Sequence, residues 1–222
     1  MLKFYYHPLS PIARRVWLAL LEKEIPFESV LVDLANKQQF STEFLALSPF
    51  HHVPAVVHRE VHLIESIAIL DYLDREFPQM PLSPAGSADF AKMRMVQMVV
   101  TNELLPKLTA FVGATEDRPL PQATVSHLDN CLQFLNRQIG ESAYFGGNSL
   151  NLADIVAGAT VPLFCRLGLP LLPYPAIAQW HTRITQRSAW QLTRPSDPDF
   201  QQWQRWIQLQ VTRQQRKLAK KQ

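Results

Sequence analysis

Cysteine and glycine are scarce in this chain, with two and seven among 222 residues. Cys131 and Cys165 both fall in apolar, helix-patterned stretches. They are expected as small buried residues, not as a disulfide framework. No uninterrupted apolar run approaches the roughly 20 residues of a membrane span. The first residues hold one lysine and then Phe4-Tyr5-Tyr6-His7-Pro8, without the layout of a secretory signal. These absences favour the cytoplasm. No internal repeat occurs, and no low-complexity segment outside the last ten residues. Metal-ligand spacing is missing too. His51-His52 and His58-x-x-x-His62 come nearest, but positions 58 and 62 flank a predicted turn, and no cysteine or acidic set completes a site. No metal is expected.

Hydrophobic residues make up 47% and charged residues 18% of the chain, an ordinary soluble, core-forming balance. The length suits one large or two small domains. The formal charge of +3 is a tail effect: without Arg213, Arg216, Lys217, Lys220 and Lys221 it becomes −2. The tail lacks the interleaved aromatics of a nucleic-acid surface and reads as a solvated helix end. Neither nucleic acid nor a membrane is expected as a partner.

Leu2–Tyr6 is a short β-type run, and a helix is predicted from Ile12 to Lys23. Ser10-Pro11 ahead of it is a helix-start signature, serine at the N-cap and proline at the first helical position. Ile25-Pro26 ends the helix, and a second strand follows at 27–32. A strand, a helix and a strand in so little chain form a right-handed parallel unit. A short helix is predicted at Thr42–Leu47. Residues 78–88, with three prolines, one glycine and two serines, are the clearest linker. Beyond it nearly everything is helical. Helices are predicted over 89–112, broken or kinked at Pro106, and over 123–139, 151–167, 176–187 and 200–218. Asn151-Leu152-Ala153-Asp154 is a capping box, with Leu150 and Ile155 placed as a hydrophobic staple.

The rest is organised around Ser48–Ser66. Pro54 begins the apolar run Ala55-Val56-Val57, and proline belongs at a strand's first residue, an edge or a bend. Val53 can then present its backbone N–H and C=O outward. A turn at 58–60, a returning strand at Val61–Ile64 and a helix opening at Glu65-Ser66 complete the unit. A free backbone edge, a serine hydroxyl and the positive end of a helix suit a ligand with a peptide backbone and a free carboxylate.

The motif Phe50-x-x-Val53-Pro54-Ala55-Val56, followed by Glu65-Ser66-x-Ala68-Ile69, resembles the glutathione-site half of cytosolic glutathione transferases (GSTs). Asn151-x-Ala153-Asp154 resembles the same family's helical-domain box. The resemblance covers residues 1–210. It implies an α/β thioredoxin-like N-terminal domain (1–78), a linker (79–88), an all-α domain (89–212) and a basic tail (213–222). His7-Pro8-Leu9-Ser10, followed by Ala13-Arg14-Arg15-Val16, is similar to the serine-type segment of the phi class. The class implied is phi- or theta-like, or the chi class described for cyanobacteria.

Local sequence makes Ser10 a helix cap. The resemblance makes it the residue that activates the glutathione thiol, with Tyr5 and Tyr6 as rivals from other classes. Arg14 lies one turn on, able to stabilise the thiolate or orient a carboxylate. The resemblance further implies that Glu65 and Ser66 hold the γ-glutamyl end and Val53-Pro54 the cysteinyl backbone. Gln39 and His52 fall near the glycyl end, where the phi class usually has histidine and glutamine in the reverse order. Leu9, Leu105, Leu108 and Val112 are expected around the electrophile, and Phe50 at a homodimer interface. No prosthetic group is implied, only glutathione as cosubstrate and a small hydrophobic electrophile, in a detoxifying role. The alternative is a non-catalytic ligand-binding or complex-assembly module on the same fold. A zeta-type isomerase is a weaker match, because its Ser-Ser-Cys run is replaced by Leu9-Ser10-Pro11.

Overall fold

Leu2 and Phe4 are buried while Lys3 between them is exposed, the alternation of a strand with one covered face. In this computed structural model that strand, β1 (Leu2–Tyr6), runs through the middle of a four-stranded sheet. The backbone is described for residues 1–219 and side chains for residues 1–213. β1 pairs in parallel with β2 (Phe27–Leu31), and a parallel pair needs a crossover. Helix α1 (Pro11–Glu22) supplies it. On the other side β1 pairs antiparallel with β3 (Ala55–His58), which pairs antiparallel with β4 (Val61–Ile64). The order is therefore β2-β1-β3-β4. Helix α2 (Thr42–Leu47) precedes β3, and α3 (Ser66–Glu76) follows β4 and packs on α1. This mixed sheet with its helices is the thioredoxin-like arrangement expected from the sequence.

Residues 77–86 hold no helix or strand, but they are tied down. Lys23 Nζ donates to Asp74 Oδ1 at 2.9 Å and to the Met80 carbonyl at 2.6 Å. The Leu82 N–H also donates to Asp74, at 2.7 Å, and the Leu82 carbonyl accepts from Leu152 N–H at 3.0 Å. Burial alone would push the Asp74 carboxyl up, but bonds from Leu82, Lys23 and Ser83 outweigh it and hold it below the usual range.

The second half contains α4 (Ser87–Val99), α5 (Leu108–Gly113), α6 (Gln122–Ile139), α7 (Leu152–Arg166), α8 (Pro175–Thr185), α9 (Ser188–Leu192) and α10 (Asp197–Ala219). The expected helix over 89–112 is interrupted where Pro106 required it. A π turn (Val100–Leu104) and a 3-10 turn (Leu105–Lys107) separate α4 from α5. Proline has no N–H for the i−4 bond, and its ring crowds that carbonyl. The helix expected over 176–187 differs: α8 ends at Thr185 and α9 begins at Ser188. The backbone of α10 continues unbroken past position 212. The side chains of Arg216, Lys217, Lys220 and Lys221 lie outside the described residues.

Helix α7 is buried along most of its length and packs on α1, so this pair joins the two halves. Pro162 inside α7 leaves the Gly158 carbonyl without its usual i+4 donor. The Trp190 indole takes that carbonyl, with Nε1 donating at 2.7 Å. Residue 158 must be small for this approach, because a Cβ there would stand 2.7 Å from the Trp190 ring. The fit seats α9 against α7 and fixes one wall of the site.

Candidate active site

The loop before α1 is a tight turn. Ser10 N–H donates to the His7 carbonyl at 2.9 Å, and Leu9 N–H to His7 Nδ1 at 3.3 Å. Ser10 is the N-cap of α1, its Oγ accepting from Ala13 N–H at 3.1 Å. The capping expectation and the catalytic one are compatible, because a hydroxyl has one proton as well as two lone pairs. That proton has no acceptor among the described residues. The hydroxyl also stands where the N–H groups of a twelve-residue helix favour an anion.

Ser10 lines two cavities at once. The first, of about 420 Å³, brings together Gln39, His52, Val53, Pro54, Glu65 and Ser66 with Ser10. Six residues spread over 28 positions of chain thus converge on one hollow. The Val53–Pro54 peptide is cis. Val53 lies just outside β3 and enters no turn, loop or cap hydrogen bond among the described residues. Its neighbour His52 is held by Ser48, whose Oγ accepts from His52 N–H and donates to its carbonyl. Gln39 reaches the cavity from a 3-10 turn, and its Oε1 is buried without a hydrogen-bond partner. Glu65, before α3, has φ +67° and ψ +111°, a conformation that side chains rarely adopt, and its exposed carboxylate joins no ion pair among the described residues. Ser66 is buried at the first position of α3.

Behind Ser66 lies a residue that sequence reasoning passed over. Arg15 is only 1% exposed. Its Nη1 reaches Thr101 Oγ1 at 3.0 Å and Ser66 Oγ at 3.4 Å, while Nε and Nη2 are buried without partners. Among the described residues no carboxylate neutralises it. Burial pulls the guanidinium down to about 10, so it remains charged at neutral pH. This positive charge adds to that of the α3 N-terminus beside Ser66.

The second cavity, of about 460 Å³, opens on the other side of Ser10. Leu9 and Arg14 both line it. Leu105, Leu108 and Val112 do not line either cavity. Leu108 and Val112 are buried in the hydrophobic core, and Leu105 is packed against it. The helical period reports burial but not what lies across the buried face. The wall opposite Leu9 comes instead from Pro162 and Leu163 of α7, Trp190 of α9, and Phe200 and Trp203 of α10. Arg14 also joins the halves. Its Nε donates to Thr193 Oγ1 and its Nη2 to the Trp190 carbonyl, both at 3.1 Å. Tyr5 and Tyr6 line neither cavity: Tyr5 lies by Phe44, and Tyr6 against Phe4 and Trp17. Cys165 borders the second cavity, but burial pushes its thiol up to about 12.

Residues 9–76 match the model of the glutathione S-transferase N-terminal domain, and residues 88–188 that of the C-terminal domain. Glutathione S-transferase U2 of Arabidopsis thaliana is 31% identical over 188 residues, covering 80% of this chain and 81% of the relative. The chain belongs to the glutathione S-transferase family. Among solved structures, a delta-class glutathione transferase of Nilaparvata lugens shares the fold with a TM-score of 0.81 at 23% identity, over 94% of this chain and 99% of that one. A glutathione transferase homologue from Drosophila mojavensis, with bound glutathione, superposes with a TM-score of 0.77 at 23% identity, over 93% and 95% of the two chains. In this transferase the motif-bearing residues of the N-terminal half surround one cavity. The other cavity lies between the halves, and Ser10 stands at their junction.

Proposed function

We propose that this transferase binds reduced glutathione in the cavity of Val53, Glu65 and Ser66 and adds its thiolate to a small electrophile held beside Leu9 and Trp203. The observation that carries the reading is the Ser10 hydroxyl, which donates to no group among the described residues and stands at a helix N-terminus and at the junction of the two cavities. A free thiol has a pKa of about 8.5 and is mostly unreactive at neutral pH. Ser10 donates to the sulfur and, with the α1 N-terminus, favours its charged form. The C–S bond forms as the electrophile's leaving group departs or its double bond takes up a proton, and the thiol's own proton goes to solvent. Val53 pairs its backbone with the cysteinyl residue. Glu65 meets the γ-glutamyl ammonium, while Ser66, backed by Arg15, meets the carboxylate. Gln39 and His52 serve the glycyl end. The activity suits a cytoplasmic detoxifying enzyme, and glutathione is its cosubstrate.

The deciding experiment is a binding isotherm for glutathione followed by ultraviolet difference spectroscopy of the bound thiol against pH. A thiolate signal titrating below the free thiol supports the enzyme. Binding without that shift supports the carrier module instead, and absence of binding removes the glutathione reading. Within the same site, Ser66→Ala is expected to weaken glutathione binding about 10-fold or more, since a hydrogen bond to a charged group contributes about 1.5–3 kcal/mol. Its kcat should change little. An unchanged dissociation constant would place the carboxylate elsewhere.

A homodimer belongs to the same reading. Phe50 is 58% exposed, at the rim of the glutathione cavity, with Phe40 exposed nearby. Large apolar side chains left in water at such a rim suit a second copy of the chain. Sedimentation should give twice the chain mass, and Phe50→Ser should shift it toward the monomer.

A further inference from the structure

The cavity beside Leu9 is lined by three arginines, Arg14, Arg166 and Arg194, and by no aspartate or glutamate. Among the described residues Arg14 bonds only to neutral oxygens, those of Thr193 and Trp190. Arg166 and Arg194 share one carboxylate, that of Asp197, at 2.5 and 3.6 Å. Asp197 is itself 72% exposed and stands outside the cavity wall. Three positive charges thus face one negative charge. Their mutual repulsion is felt at Arg14: burial first, then the nearness of Arg166 and Arg194, bring it down to about 10, which still leaves it charged at neutral pH. His181 adds no further positive charge at neutral pH, since burial keeps its imidazole below the usual range. Much of the remaining wall is apolar, from Leu9, Pro162, Leu163, Trp190, Phe200 and Trp203, with Ser10, Thr185 and Gln191 as its polar members. The Arg166 guanidinium lies 4.0 Å from the centre of the Phe200 ring, which stacks on Trp203.

A cavity with aromatic walls and surplus guanidinium charge selects a ligand that is apolar along its length and anionic at one end. We propose that the electrophile of this transferase is an anion, an aromatic or unsaturated acceptor carrying a carboxylate that pairs with the Arg166–Arg194 side of the cavity while its reacting carbon faces Ser10. This rests on the glutathione reading for the reaction, but not for the anion selectivity itself. For a carboxylated aryl chloride the thiolate attacks the ring carbon, the C–S bond forms, the C–Cl bond breaks and chloride leaves. The carboxylate is unchanged.

Two paired measurements on the intact protein test the proposal. The first needs no glutathione: binding of 4-nitrobenzoate and of methyl 4-nitrobenzoate, followed by quenching of tryptophan fluorescence. The acid is expected to bind about tenfold more tightly than the ester, the scale of one charge-assisted hydrogen bond. Added salt and Arg194→Gln should each bring the two closer to parity. The second measures kcat/KM with glutathione for 4-chloro-3,5-dinitrobenzoate and its methyl ester, each divided by its uncatalysed rate. The acid should lead by a similar factor, and Arg194→Gln should reduce that lead. Equal or tighter binding of the ester overturns the proposal and leaves glutathione conjugation standing. Preferential acid binding without any glutathione binding removes the transferase reading and retains the anion-selective cavity. Preferential acid binding that Arg194→Gln does not alter overturns the assignment to these arginines.

Discussion

Ser10→Ala is expected to lower kcat for glutathione conjugation about 10- to 100-fold at neutral pH. One charge-assisted hydrogen bond contributes about 1.5–3 kcal/mol, and that corresponds to about one to two units of thiol pKa. The sign follows from the charged form being the one stabilised. In the wild type the thiolate persists to lower pH than in free glutathione, and in the variant the acid limb of the rate profile moves up toward about 8.5. The deficit should therefore shrink as pH rises past about 9, where both proteins hold a thiolate. A damaged fold would not recover in this way.

The same substitution removes the cap bond to Ala13, worth about 1 kcal/mol of stability, so a modest loss of Tm accompanies it. Ser10→Gly separates the two roles. Glycine is itself an acceptable N-cap and costs only a few tenths of a kcal/mol relative to serine. Ser10→Gly should keep most of the stability and still lose the rate. If it keeps the rate, Ser10 is only a cap, and Arg14 becomes the candidate for activating the thiol.

The parts of this site that were legible in the sequence are those written in short-range chemistry. Ser10-Pro11, Val53-Pro54 and Glu65-Ser66 each mark an element boundary, and Ser10 with the other two pairs lines the first cavity. The strands and α2 were legible because prolines, charged turns and β-branched runs bound them. What was not legible came from contacts across the chain. Arg15 lies next to Arg14 in a pattern that allows either to be exposed. It is buried because α1 is covered by both α3 and α7, a fact of domain packing. The second cavity depends on the Pro162–Gly158–Trp190 fit, which joins residues 28 positions apart or more, and no local period announces it. The break between α8 and α9 has no glycine or proline at 186–187. There Arg187 turns to Glu22 of α1, donating through Nε at 2.9 Å.

The largest loss of stability is expected at Asp154, far from the chemistry. The box read from Asn151 and Asp154 is present: Asn151 Oδ1 accepts from Ala153 N–H at 2.8 Å, and Asp154 Oδ2 accepts from Asn151 N–H at 2.9 Å. The structure adds two bonds that no capping rule contains. Asp154 Oδ1 accepts from Phe145 N–H at 3.0 Å and from Trp180 Nε1 at 2.8 Å. One buried carboxylate therefore joins the start of α7, the loop before it and α8. Asp154→Ala leaves three donors without an acceptor, two buried and one partly buried, at about 1–3 kcal/mol each. Against this stands the relief of an unfavourable burial. Burial pushes the Asp154 carboxyl up to about 6 despite its donors, about two units above an ordinary aspartate, or about 3 kcal/mol at neutral pH. The three donors together outweigh this in all but the lowest case, and the net loss is expected at up to about 6 kcal/mol, a large share of the 5–15 kcal/mol that holds most folds. In a chain of this size each kcal/mol lost lowers Tm by about 2–4 °C.

Asn151→Ala breaks only the cap and should cost about 1 kcal/mol. If calorimetry finds the two variants equally stable, the Phe145 and Trp180 bonds contribute nothing. The pH dependence gives an independent check. A carboxyl raised in the folded state binds its proton there more tightly than in the unfolded chain. Its contribution to stability is complete below about pH 4 and is lost as pH rises toward about 6. Stability of the wild type should therefore decline across that window relative to Asp154→Ala, so the difference between the two proteins is larger at pH 4 than at pH 7.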